Sequence, residues 1–252
     1  MTTPSAGPAV IAADREVLDR ARQWADRFDL PLATADAAPP GLNLWVTARQ
    51  VELRDHDDPT TNPLAAAPHA LDTRSGPGRS MKTPLARAVG LAHADSPPRI
   101  ADATGGLGED SWLLAAAGCE IITFERHPVV AMLLADGLQR AATVAPEVAG
   151  RIALQFADAT TALGGLAPPP SVILIDPMFP PRKKSAREKK AMRWLRRLVG
   201  PDPDAAALLA VARTTATDRV IVKRPRHADP LADDPVAEHA GRGYRWDVYR
   251  PA

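Results

Sequence analysis

The sequence predicts an α/β protein built on a mostly parallel sheet with helices on both faces. Three observations lead there. From Ile100 onward, short apolar runs alternate with helical patterns, as parallel strands joined by crossover helices require. The first of those runs ends in Asp102 and opens at once into a glycine-rich turn, IADATGGLGED over residues 100–110, followed by a helical stretch. Acids recur at or just past the ends of the next runs, at Glu125, Asp158 and Asp176. Four carboxylates are therefore expected along the sheet edge at which such folds bind ligands.

In chain order, residues 1–10 are small and polar with two prolines, and a loosely attached end is expected. Over residues 14–28, Val17, Leu18, Ala21, Trp24, Ala25 and Phe28 recur at helical spacing. A proline-rich break at 37–41 precedes a loosely alternating stretch, 42–53, that suits strands. Residues 1–70 are expected to form a small α+β subdomain, and 71–252 the main domain. The basic turn RSGPGR, 74–79, leads into a short helix over 82–92 with Pro84 near its start, where proline is tolerated. The α/β alternation then predicts strands at 100–102, 120–125, 151–156, 172–175, 218–223 and 244–249, with helices at 107–117, 128–142 and 204–214. VILI at 172–175 has no polar face, as a strand covered on both sides requires.

Lys plus Arg number 31 and Asp plus Glu 30, so the net charge is +1 and any nucleic-acid surface has to be local. No run of about 18 apolar residues and no charged-then-apolar leader is present, so neither a membrane span nor a signal peptide is expected. A cytoplasmic enzyme is the default. The single cysteine, Cys119, excludes an internal disulfide and a cysteine-based zinc site. The histidines show no metal-ligand spacing, and no metal is expected.

Gly105, Gly106 and Gly108 let backbone N–H groups approach a ligand, and the helix that follows adds unpaired donors. Glu125, after the second strand, is placed to accept ribose hydroxyls, and Asp158, after the third, to accept from an adenine amine. Together they describe an adenosine-bearing ligand. A dinucleotide fits less well. Ser111 stands where the last glycine of that fingerprint belongs, and Glu109 and Asp110 would repel a pyrophosphate at the helix start. The same two acids suit the sulfonium and ammonium of S-adenosylmethionine, the preferred reading. In the turn Asp176-Pro177-Met178-Phe179, Asp176 or a turn carbonyl can accept from an exocyclic amine. Pro177 stiffens the turn and Phe179 offers a face for a flipped base. Residues 182–197 hold nine Lys or Arg against one acid, Glu188. Arg182, Lys183, Lys184, Lys189 and Lys190, extended by Lys223, Arg224 and Arg226, are expected to bind RNA phosphates. Cys119, Trp112, Trp194 and Trp246 read as packing residues, with a base platform as the alternative for Trp194, and His127 as a helix start.

Five motifs, DATGGLGED (102–110), FERHPVVAMLLADGL (124–138), IDPMFPPRKKSA (175–186), LVGPDPDA (198–205) and VIVKRP (220–225), resemble the RsmJ family of 16S ribosomal RNA guanine-N2 methyltransferases. The resemblance runs from about residue 79 to 249. It implies a Rossmann-like class I methyltransferase fold with a seven-stranded, mostly parallel sheet. It implies S-adenosylmethionine as cofactor, 16S rRNA or the small ribosomal subunit as partner, and transfer to the N2 amine of one guanine. Cofactor contacts are implied at Glu109 and Asp110, Glu125 and Arg126, Asp158 and Ala159, and Asp176, with Asp102 and Gly105 in the turn itself. Glu109 stands where the family has Arg, and Asp158-Ala159 where it can carry Ser-Ser, which leaves side-chain contact open at both. The rivals are a nicotinamide-dependent oxidoreductase and a non-catalytic assembly factor that keeps the cofactor pocket.

Overall fold

The computed structural model describes residues 7–73, 83–178 and 190–252. Near the N-terminus lie β1 (Val10–Ala12), α1 (Leu18–Phe28), β2 (Leu32–Ala33), β3 (Leu42–Val46) and β4 (Val51–Asp55). They make a four-stranded sheet in the order β2-β1-β3-β4. Helix α1 buries Ala21, Trp24, Ala25 and Phe28, one stripe at i, i+3, i+4 and i+7. It starts later than the periodicity suggests, because the Asp14 carboxylate accepts the Glu16 and Val17 amides and holds a turn ahead of it. Strand β1 was not expected. Its three residues are too few to show a period, yet Val10 and Ile11 are wholly buried at the centre of this sheet.

The main body comprises α2 (Pro84–Val89), β5 (Arg99–Asp102), α3 (Glu109–Ala116), β6 (Glu120–Glu125), α4 (Pro128–Val144), α5 (Pro146–Ala149), β7 (Ile152–Phe156) and α6 (Ala159–Ala162). It continues with β8 (Val172–Ile175), α7 (Lys190–Val199), α8 (Ala205–Thr215), β9 (Arg219–Pro225), β10 (Ala237–Ala240) and β11 (Tyr244–Tyr249). The seven-stranded sheet has the order β10-β11-β9-β8-β5-β6-β7. Strands β9, β8, β5, β6 and β7 are mutually parallel, and β11 is antiparallel to both of its neighbours. The chain winds from β5 toward β7, then returns to β8 on the other side of β5. That reversal leaves a crevice at the carboxyl ends of β5 and β8.

The central strands are apolar throughout because both faces are covered. Val172 and Leu174 pack with Ile100, Ile121 and Ile221 against α2 and α3, while Ile173 and Ile175 pack with Ala101, Val220 and Val222 against α8. Cys119, Trp112 and Trp246 are buried, as expected of packing residues. Edge strand β10 escaped sequence reading since AEHA is short and mostly exposed.

The small sheet is not isolated from the large one. Val129, Met132 and Leu133 of α4 share a core with Trp24, Phe28, Leu44, Leu53 and Trp194. Fully buried Asp136 of α4 accepts from Arg20 at 2.8 Å and from Arg140 at 2.8 Å. A Cβ at Gly137 would stand 2.9 Å from the Ala66 carbonyl oxygen, so the linker after β4 lies directly on the helix. Trp194 belongs to this core at 8% exposure, which removes it as a base platform.

Candidate active site

The crevice is built where β5 turns into α3. The 103 amide donates to the Leu174 carbonyl, after which the chain passes so close to β6 that Gly105 N donates to the Phe124 carbonyl at 2.7 Å. A Cβ on Gly105 would meet Thr123 Oγ1 at 2.6 Å and the Phe124 oxygen at 3.1 Å. Only glycine fits there. Gly108, at φ +80°, precedes α3, and its own Cβ would meet Leu134 Cδ1 at 2.5 Å. Helix α3 thus starts with Glu109 and Asp110 at the crevice and carries Ser111 inward. Ser111 Oγ donates to Asp102 Oδ2 at 2.6 Å, and the Thr104 amide donates to Asp102 Oδ1 at 3.1 Å. Burial pushes the Asp102 carboxyl up to about 7, opposed by those two hydrogen bonds.

Glu125 closes the neighbouring strand. Its Oε2 accepts from Gly106 N at 2.9 Å and its Oε1 from His127 N at 2.8 Å. Burial raises its pKa and the two amides lower it. Each oxygen retains a second lone pair, so the carboxylate can still receive hydroxyls from the crevice. Arg126 turns to the rim, where its guanidinium donates to Asp202 Oδ1 at 2.6 Å and to Asp204 Oδ2 at 2.5 Å, with Asp158 Oδ2 farther off at 3.4 Å. Those hydrogen bonds hold the guanidinium pKa above its ordinary value. Asp158 also caps α6 through Thr160 N at 2.8 Å, and Ala159 is buried behind it.

Asp176 faces these groups from the end of β8. Its amide donates to Thr104 Oγ1 at 2.6 Å, which ties the two turns together. Its Oδ2 accepts from Lys223 Nζ at 2.9 Å, and the same ammonium donates to Asp110 Oδ2 at 2.8 Å. Burial raises the Asp176 pKa, and the Lys223 charge opposes it. For Lys223 burial works against the charge, but Asp176 and Asp110 outweigh it and hold the ammonium above its usual range. Lys223 also lies over the Trp246 and Tyr244 rings, at 5.2 and 5.4 Å from their centroids.

The structure therefore gathers Asp102, Gly105, Glu109, Asp110, Glu125, Arg126 and Asp176 around one crevice, also lined by Pro177 and Met178. Neither Asp158 nor Ala159 lines it: Asp158 reaches it only through Arg126, and Ala159 packs in the core. Lys223 departs from expectation. Strand β9 runs through Pro225, and the ammonium sits among carboxylates inside the crevice instead of extending an open basic surface. Arg224 donates to the Asp229 carbonyl at 2.9 and 2.5 Å. Phe179, Arg182, Lys183, Lys184 and Lys189 lie outside the described residues, and Lys190 is placed only as the first residue of α7. Sequence reading missed Thr104, Asp202 and Asp204. The signal for the last two was present in the acids flanking Pro203 just before a helix.

These residues fit S-adenosylmethionine. A glycine cradle that a Cβ would fill, a strand-end carboxylate with free lone pairs, and three clustered acids with one lysine make an acceptor-rich, net-negative pocket for a cationic adenosine derivative. The family model described as "Putative SAM-dependent methyltransferase" matches residues 23–251. Ribosomal RNA small subunit methyltransferase J of Pectobacterium atrosepticum is 44% identical over 218 residues, 83% of this chain and 87% of that protein. The protein of the same name from Yersinia pestis is 43% identical, covering 82% and 83%. The crystal structure of a SAM-dependent methyltransferase from Neisseria gonorrhoeae is 33% identical with a TM-score of 0.74, covering 96% of this chain and 95% of that one. The oxidoreductase reading is set aside by these matches. S-adenosylmethionine is the cofactor, and the chain belongs to the ribosomal RNA small subunit methyltransferase J family of SAM-dependent methyltransferases.

Proposed function

We propose that this chain methylates the exocyclic N2 amine of one guanine in 16S rRNA, acting in the cytoplasm on the RNA or on the small ribosomal subunit. The observation that carries the reading is the Asp176-Pro177-Met178 turn. It opens onto the crevice with Asp176 Oδ2 held by Lys223, while Oδ1 has no hydrogen-bond partner among the described residues. Relatives named for small-subunit ribosomal RNA supply the substrate class.

When bound, S-adenosylmethionine supplies an electrophilic methyl carbon on a sulfonium. The residues of this chain have a different task, because the guanine amine is a weak nucleophile whose lone pair is delocalised into the ring. Asp176 Oδ1 accepts one amine hydrogen and fixes the direction of the nitrogen, which makes transfer mainly a matter of orientation. As the N–CH₃ bond forms and the S–CH₃ bond breaks, the nitrogen gives up a proton and Asp176 Oδ1 receives it. Lys223 holds the other oxygen throughout. Glu125 would bind the ribose hydroxyls, and Asp102 with Ser111 fixes the turn at the start of α3. Phe179 stacks on the base, and Arg182, Lys183, Lys184, Lys189, Lys190 and Arg224 bind phosphates. Residues 1–70 act as a subdomain beside a methyltransferase domain of 71–252, a division supported by a sheet drawn wholly from residues 10–55.

The test is transfer of labelled methyl from S-adenosylmethionine to small subunits and to naked 16S rRNA from cells lacking the gene. Label recovered as N2-methylguanine at one site is the expected result. Cofactor binding without transfer to either substrate would sink the proposal and favour a non-catalytic assembly role.

A further inference from the structure

We infer that Asp202 is a positioning residue for methyl transfer: it clamps the backbone of the Asp176-Pro177-Met178 turn and is itself anchored by Arg126 of the cofactor crevice. The inference rests on the proposed role of that turn.

Asp202 holds Met178 at two points. Its Oδ2 accepts from the Met178 amide at 2.7 Å, and its own amide donates to the Met178 carbonyl at 3.2 Å. Its other oxygen, Oδ1, receives Arg126 at 2.6 Å. Each carboxylate oxygen is thus committed to a different wall of the crevice, with the Asp202 side chain only 14% exposed. Strand β8 ends at Ile175, and among the described residues the turn's other tethers both lie at Asp176, its amide on Thr104 and its carboxylate on Lys223. Pro177 has no amide proton to donate. Beyond Asp176, the backbone of the turn is held at Met178, and Asp202 holds it through both backbone groups. Asp204 takes Arg126 at 2.5 and 3.0 Å, so the guanidinium keeps a partner when Asp202 is changed. That leaves the consequence of losing Asp202 concentrated on the turn. An orientation-dependent reaction is sensitive to such a loss, since about 1 Å of misplacement can cost on the order of a hundredfold in rate.

Two variants separate positioning from mere stability. Asp202→Ala removes the acceptor for Met178 N, whereas Asp202→Asn keeps one oxygen that can turn to it and loses the charge and the acceptor toward Arg126, which retains Asp204. Hydrogen exchange at the Met178 amide reads the clamp without any methyl acceptor. It should be at least tenfold faster in Asp202→Ala and nearly unchanged in Asp202→Asn. In the rRNA assay kcat should fall about tenfold to a hundredfold in Asp202→Ala, with less than a threefold change in KM for S-adenosylmethionine, and should recover most of the loss in Asp202→Asn. Unchanged exchange, or a kcat within twofold of wild type in Asp202→Ala, overturns the inference. So does a loss that Asp202→Asn shares in full. If wild type itself methylates no rRNA, the functional reading fails while the exchange measurement still decides whether the clamp exists.

Discussion

Replacing Lys223 with methionine removes a cation that Asp110 and Asp176 share and leaves an apolar chain of similar length on the Trp246 and Tyr244 rings. The geometry sets the size of the effect. Lys223 Nζ lies 2.8 Å from Asp110 Oδ2 and 2.9 Å from Asp176 Oδ2, and the three side chains are 24%, 21% and 37% exposed. A pair of unit charges at contact distance is worth about 4 kcal/mol at an effective dielectric of about 20 and about 1 kcal/mol in water. Partial exposure places this pair between those limits, at about 2 kcal/mol. Without that attraction Asp176 should titrate higher in the variant than in wild type. Burial, Asp110 and Asp202 push the Asp176 pKa up, and Lys223 pulls it down. Arg196 also lines the crevice. The ionised carboxylate is the form that accepts the amine hydrogen, so activity is lost as pH falls through its pKa. The acid limb of kcat/KM in the methyl-transfer assay should therefore move to higher pH in Lys223→Met and stay near wild type in Lys223→Arg. An acid limb that does not move in Lys223→Met, with activity still measurable, refutes this account of Asp176.

Three further outcomes follow from the same structure. Gly105→Ala forces a Cβ to within 2.6 Å of Thr123 Oγ1 and 3.1 Å of a backbone oxygen, so calorimetry should show S-adenosylmethionine binding weakened at least tenfold. Asp102→Asn tests linkage: the folded carboxyl is raised from 3.8 to about 7, so its contribution to stability is present below 3.8 and disappears as pH rises to about 7. The variant should therefore gain on wild type across that window, by about 4 kcal/mol at pH 8, in denaturant unfolding; a gap independent of pH contradicts it. Asp136→Ala strips Arg20 and Arg140 of their shared buried partner and should cost about 3 kcal/mol, less than a fully buried pair because both arginines reach solvent. Urea unfolding reads that loss, and a cost under 0.5 kcal/mol would show that α1 and α4 do not depend on it.

Strand and helix alternation, the glycine turn and the strand-end acids at 102, 125, 158 and 176 were all legible in the linear chain. Each rests on local physics. Period and apolarity reflect which faces are covered, a glycine run marks a close backbone approach, and an acid after a strand in a parallel sheet falls at one edge by construction. Some bounds were recoverable too: 120–125, 172–175 and 244–249 are strands with those limits. The acids at the helix start already favoured S-adenosylmethionine; the family motifs added the acceptor, the N2 amine of a guanine in 16S ribosomal RNA.

Tertiary structure decided what those groups touch. Lys223 reads as one more cation beside a basic segment, but β9 lies next to β8, and that adjacency carries its ammonium 47 residues across sequence to Asp176 and 113 to Asp110. Asp202 reads as a helix-flanking acid until its two oxygens are seen to join Arg126 and Met178. Val10 to Ala12 is three small apolar residues until β2 and β3 flank it. Composition and period are properties of a segment and survive in one dimension. Which charge neutralises which, and which backbone is clamped from outside, depends on contacts between segments far apart in the chain, and those exist only once the sheet has ordered its strands.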